Sequence, residues 1–156
     1  MTTLCCKVLE TLRQRGMTLV TAESLTGGGI GAALTAVPGA SEVYRGGVIS
    51  YVNEVKNQVL GVPRDILDRC GAVSPRTAGY MASGVRKLLC ADIAVSVTGL
   101  AGPGGDAFGH PVGTVCIGYD STHKSLVKQY RFTGSREEIR HQTIRAALEL
   151  ILENNP

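Results

Sequence analysis

Apolar positions along this chain follow two rhythms that alternate from the first residue to the last. Leu4, Val8, Leu9 and Leu12 are spaced as one face of a helix, which predicts an amphipathic segment over residues 3–15 ending at Gly16. Leu19, Val20 and Ala22 then form a short apolar run suited to a buried strand, with Glu23 and Ser24 at its C-terminal end. Ile30, Ala33, Leu34 and Val37 restore the helical spacing. Residues 38–41, Pro-Gly-Ala-Ser, break the pattern before a strand resumes over 44–51, and a further helix follows with Val55, Val59 and Leu60 on its buried side.

Residues 63–69 read as a short helix closed by Gly71. Ser74 followed by Pro75 is an N-cap with proline at the first helical position. The helix it opens is expected to run to about Cys90, presenting Ala78, Met81, Ala82, Val85, Leu88 and Leu89, with small residues that allow close approach to a sheet. Residues 93–97 form a buried strand. Residues 111–119 and 125–132 form two consecutive strands joined through 120–124 as an antiparallel hairpin. Ser135-Arg136-Glu137-Glu138 is a capping box that starts a long helix with Ile139, Thr143, Ala146, Ala147, Leu150 and Ile151 on one face. Leu and Ala on the first and last helices suit either the core or a contact between subunits.

Composition narrows the functional classes. A chain of 156 residues with 44% hydrophobic and 19% charged residues can bury a core as one domain. The net charge of +3 is mild, the Lys and Arg are scattered, and aromatics make up 4%, which argues against a nucleic-acid footprint or a base-stacking platform. A small anionic substrate suits this surface. Five cysteines at irregular spacing do not form a disulfide framework, and Cys90 and Cys116 lie in apolar surroundings as small core residues. His110, His123 and His141 lack metal-ligand spacing, so no metal is expected. No apolar stretch is long enough to span a bilayer and no signal peptide opens the chain, so the expectation is a cytoplasmic protein without membrane contact.

Candidate chemistry concentrates where residues 18–30, Thr-Leu-Val-Thr-Ala-Glu-Ser-Leu-Thr-Gly-Gly-Gly-Ile, pass from strand to helix. The turn holds Ser24 where helix N–H groups are unpaired, and Gly27, Gly28 and Gly29 permit a ligand to approach the backbone. The plainer alternative is a tight turn with Ser24 or Thr26 as N-cap. The stretch matches neither G-x-G-x-x-G, nor G-x-x-x-x-G-K-[ST], nor G-x-S-x-G. Lys56 lies near the first turn of its helix, where dipole and burial would lower its pKa and make it a candidate base, the alternative being a solvated lysine. A second glycine-rich stretch, 99–110, also follows a strand. It is either a mobile loop or a wall facing the first turn across a pocket.

Six separated blocks, in order, carry a family resemblance: residues 21–28 (TAESLTGG), 47–56 (GVISYVNEVK), 71–74 (GAVS), 96–103 (SVTGLAGP), 111–114 (PVGT) and 134–136 (GSR). Over nearly its whole length the chain closely resembles the CinA C-terminal-domain family, which includes stand-alone bacterial nicotinamide-nucleotide amidases. Leu25 stands where many members have Cys, and Ser135 replaces an Asp that often precedes the Arg.

The resemblance implies hydrolysis of the carboxamide of nicotinamide mononucleotide, in pyridine-nucleotide salvage, to nicotinate mononucleotide and ammonia. It assigns Ser24 as nucleophile, Lys56 as base and an Arg after the last strand, best matched by Arg136, with Arg140 one turn further on as the second candidate. Thr26, Gly27 and Gly28 would supply oxyanion donors, Gly99 and Gly102 a phosphate-binding turn, and Tyr51 and Asn53 would orient Lys56 or the substrate ring, although Tyr51 also suits strand-end packing. No organic cofactor is implied, and a homodimer or larger assembly is. The alternative is a non-catalytic nucleotide-binding or interaction module linked to competence or DNA-damage proteins. The expected fold is α/β: a single three-layer α/β/α domain over residues 1–156, with a mixed sheet and a C-terminal antiparallel hairpin.

Overall fold

A computed structural model describes residues 1–156. Helix α1 (Thr2–Gln14) leads into strand β1 (Leu19–Glu23), and α2 (Gly29–Thr35) and a 3-10 turn lead into β2 (Tyr44–Ile49). Three helices follow, α3 (Asn53–Gln58), α4 (Arg64–Cys70) and α5 (Pro75–Leu88), before β3 (Ile93–Gly99). The hairpin β4 (Thr114–Ser121) and β5 (Ser125–Arg131) and the long α6 (Arg136–Glu153) complete the chain.

The five strands lie in the order β2-β1-β3-β4-β5. β1 runs parallel to both β2 and β3, while β3–β4 and β4–β5 are antiparallel, so the sheet is mixed as expected. β1 is buried at every position because helices cover both faces of the sheet, the usual condition of a central parallel strand. Alternate residues of the central strands feed two cores. Leu19, Ile93, Val95 and Val97 join Leu9, Leu12, Ile30, Leu150 and their neighbours under α1, α2 and α6. Val20, Ala22 and Ala94 join Ile66, Met81 and Val85 under α4 and α5. Leu9 and Leu12 of α1 and Ala146, Ala147, Leu148 and Leu150 of α6 are core residues, whereas Leu4 and Leu152 are half-buried at its edge.

Two of the caps read from sequence form. Ser74 accepts from Thr77 N at the start of α5, and Ser135 and Glu138 make the reciprocal capping box of α6. Close approach of α5 to its neighbours is real: a Cβ on Gly84 would stand 1.9 Å from the Leu60 carbonyl oxygen, and one on Gly118 2.6 Å from the Ala78 carbonyl oxygen.

Several local expectations are corrected. Cys90 is exposed at positive φ, because α5 ends at Leu88 and the chain turns there, while Cys116 is fully buried and its thiol pushed up to about 11 by that burial. Leu88 is exposed for the same reason. The stripe expected around α3 faces the core only in part: Leu60 is buried and Val55 half-buried, but Val59 is 44% exposed, and within the helix itself Lys56 is the buried residue. β2 stops at Ile49, and β4 begins at Thr114, not at Pro111, and runs through Asp120 to Ser121.

Candidate active site

β1 and β3 are adjacent and parallel, so their C-terminal ends open on the same edge of the sheet, where crevices in α/β folds collect ligands. Ser24 is the first residue beyond β1, and its N–H donates to Val97 O at 3.0 Å, tying it to β3. The cavity at this edge measures about 290 Å3. It is lined by Ser24 and Leu25, by Tyr51 and Lys56, by residues 72–73, 98–102 and 104, and by Arg136.

The approach of Lys56 to Ser24 dominates the geometry. Lys56 Nζ donates to Ser24 Oγ at 3.0 Å and to Ser50 O at 2.6 Å, with Tyr51 O at 3.5 Å. Its side chain is 1% exposed and no carboxylate pairs with it. Burial without a counter-charge lowers the amine from 10.5 to about 8. The helix dipole is not the cause: α3 has six residues, so Lys56 sits in its last turn as much as its first. Such an amine is neutral in about one molecule in ten at pH 7 and half of them at pH 8.

Glu23, which the sequence reading left without a role, fixes the turn. Its side chain is 2% exposed. Oε2 accepts from Thr26 Oγ1 at 2.6 Å and Ile30 N at 2.9 Å, and Oε1 accepts from Gly31 N at 2.9 Å and Thr21 Oγ1 at 3.3 Å. The first N–H groups of α2, where a ligand was expected, are thus taken by the protein's own carboxylate. The signal that could have found this is an acidic residue shortly before a glycine-rich helix start.

Six of the residues singled out by sequence meet at the cavity: Ser24, Tyr51, Lys56, Gly99, Gly102 and Arg136. Arg136 spans its mouth, donating to Gly102 O and, at 3.2 Å, to Tyr51 Oη. Thr26 lies behind Ser24 on Glu23, and Gly27 and Gly28 turn the chain with φ of 59° and 97°. Asn53 is exposed at the start of α3 outside the cavity lining. Arg140 does not line the cavity either; its guanidinium donates to Leu25 O at 3.0 Å and Thr26 O at 3.2 Å. The second glycine-rich loop is tied down by Asp106, which pairs with His110 Nδ1 at 2.7 Å and accepts from the N–H groups of Phe108 and His110. No three His, Cys, Asp or Glu side chains gather as a metal site.

The profile of the CinA C-terminal domain matches residues 1–154. The chain belongs to that family. A CinA-like protein of Desulfotalea psychrophila is 45% identical over 142 residues, 91% of this CinA domain and 34% of its own length. A CinA-like protein of Prochlorococcus marinus is 53% identical over 116 residues, 74% of this chain and 27% of its own. The chain thus spans about a third of the length of the curated relatives it matches. Solved structures of similar length superpose closely. A CinA superfamily protein from Klebsiella pneumoniae gives a TM-score of 0.96 at 36% identity, covering 98% of this chain and 96% of that one. A competence or damage-inducible protein from Enterobacter asburiae gives 0.97 at 32% identity, covering 99% and 98%. No helix of this CinA domain is long and apolar enough to cross a membrane.

Proposed function

We propose that this CinA domain hydrolyses the carboxamide of nicotinamide mononucleotide to nicotinate mononucleotide and ammonia. The observation that carries the reading is the 3.0 Å contact between Ser24 Oγ and a buried Lys56 amine with no counter-charge. A serine hydroxyl is a weak nucleophile at neutral pH and needs a base; a lysine lowered to about 8 by burial supplies one where no histidine stands by.

In this mechanism neutral Lys56 accepts the Ser24 proton as Oγ bonds to the amide carbon, and the carbonyl oxygen becomes an oxyanion. The protonated amine then gives that proton to the leaving nitrogen, the C–N bond breaks, and ammonia departs from an ester at Ser24. Water, deprotonated by the again-neutral Lys56, adds to the ester, and Ser24 leaves with the proton. The products are a carboxylic acid, whose proton is taken up by the departing ammonia or by solvent at neutral pH, and the free Ser24 hydroxyl, with no net change in oxidation state. The Gly27 N–H is spent on Ser24 O and Gly28 lines a separate groove beside Thr21 and Tyr44, so the donors left for the oxyanion are those of Leu25 and Thr26, which have no protein acceptor. Leu25, Val73, Leu100 and Ala101 offer an apolar wall for the pyridine ring, and Arg136 at the rim offers a guanidinium fork for the phosphate.

Ammonia release from nicotinamide mononucleotide tests the reading. Both Ser24→Ala and Lys56→Ala should fall by at least about 10³-fold with the fold intact by circular dichroism. Free nicotinamide, lacking the phosphate, should be turned over poorly. Full activity in Ser24→Ala would overturn the mechanism. Nucleotide binding without ammonia release by the wild type would favour a binding or interaction module of the kind that the competence and damage names of the relatives suggest.

A further inference from the structure

The two peptide units that follow Ser24 share a pattern. In the first, the Ser24 carbonyl oxygen accepts from Gly27 N at 3.1 Å. In the second, the Leu25 carbonyl oxygen accepts from Arg140 Nε at 3.0 Å. Both units are trans, so each N–H points opposite to its held oxygen. Those N–H groups, on Leu25 and Thr26, bond to nothing in the protein although both residues are buried. Buried N–H groups without an acceptor are rare in folded chains, and an adjacent pair directly after a nucleophile is what a developing oxyanion requires.

We infer that Arg140 is a positioning residue that sets the oxyanion donors from behind, holding the Leu25 and Thr26 carbonyls so that the Thr26 N–H faces away from α6 toward the reacting carbonyl. This role rests on the amidase reading of Ser24. The guanidinium suits it because a planar fork can hold two successive carbonyls at once, through Nε and Nη2. A positive charge on the oxygen of a peptide also polarises its N–H, strengthening the bond that the N–H donates. Arg136, one helical turn earlier, faces the cavity mouth. Arg136 and Arg140 therefore divide the work: Arg136 meets the substrate, and Arg140 shapes the backbone that stabilises it.

Kinetics of Arg140→Met, Arg140→Lys and Arg136→Met with nicotinamide mononucleotide separate these roles. Arg140→Met should lower kcat by about 10²-fold and move KM by less than about threefold, as expected for a donor used mainly in the transition state. Arg140→Lys, which can hold one carbonyl, should recover part of the loss, and it carries the test if Arg140→Met fails to fold. Arg136→Met should chiefly raise KM. The thioamide analogue of the substrate provides the readout that simple loosening of the turn would not move. Sulfur accepts hydrogen bonds weakly, so the Arg140 defect should be several-fold smaller for the thioamide than for the amide.

A rise in KM at unchanged kcat would mean that Arg140 reads substrate, and an equal loss on amide and thioamide would mean a merely structural role; either overturns the inference while the amidase reading stands. If the wild type releases no ammonia, phosphonylation of Ser24 by a fluorophosphonate, followed by mass spectrometry, replaces turnover because the phosphoryl oxygen occupies the same donors. Slower labelling of Arg140→Met then supports the role, and equal labelling sinks it. A wild-type Ser24 inert to both reagents removes the nucleophile, and with it this role.

Discussion

Lys56 is the residue on which the chemistry turns, and its environment makes two separable statements about pH. Its folded pKa, about 8, lies below its ordinary 10.5, so the neutral form grows as pH rises. Under the amidase reading, kcat/KM should climb through an apparent pKa near 8 and level off above it, and a rate flat from pH 6 to 9 would speak against lysine as base. The same displacement penalises the folded state by about 3 kcal/mol wherever the amine is charged in both states, that is, below 8. The penalty lifts between 8 and 10.5, as the folded form releases its proton first. Urea unfolding of the wild type and Lys56→Met at pH 7 and pH 10 should show the wild type gaining about 2–3 kcal/mol on the variant at the higher pH. Beside it, the Ser50 hydroxyl is buried and has no hydrogen-bond partner. Ser50→Ala should therefore raise stability by about 1 kcal/mol, read from the same unfolding curves. Sequence made Ser24 and Lys56 visible as types suited to such chemistry, but not the lysine's burial, because a six-residue helix has too few turns for its periodicity to show which side faces inward. Nor could it show Arg140 on the Leu25 carbonyl, a contact across 115 positions.

At the scale of elements, α5 shows packing deciding against propensity. Alanine is favoured over glycine in a helix interior by about 1 kcal/mol. At Gly79 the nearest atom to an added Cβ is Val127 Cγ2 at 3.6 Å, an ordinary contact, so Gly79→Ala should stabilise by up to that amount. At Gly84 the same methyl would overlap the Leu60 carbonyl oxygen, backbone that cannot rotate aside, and Gly84→Ala should lose about 2 kcal/mol. Thermal melts of the two variants should shift in opposite directions. The elements that sequence rendered well are those with a cap or a full stripe: α1, the Ser74–Pro75 start of α5 and the capping box of α6. The end of β2 was misjudged because apolar residues continue beyond the hydrogen-bonded ladder, and the end of β4 because pairing continues into polar Asp120 and Ser121. The exposure of Cys90 was misjudged because the apolar run outlasts α5, so composition does not say where an element stops.

Across the whole molecule, the candidate site draws on segments from Ser24 to Arg140, and α6 brings the last of them back to the first turn. That helix begins at the cavity rim with Arg136 and has 18 residues, so its far end lies about 27 Å away. There Leu152 shares a shallow groove with Thr3 and Cys6 of α1, which puts the beginning and the end of the polypeptide side by side. A circular permutant that joins residue 156 to residue 1 through a few glycines and opens the chain in the exposed turn at 122–124 should fold and keep its ammonia-releasing rate within about threefold. The neighbouring ends also give the domain a natural handle. Whatever is spliced on after α6 hangs from the end of that helix remote from the crevice, so a fused cargo can be large without shading the mouth through which a nucleotide would come and go.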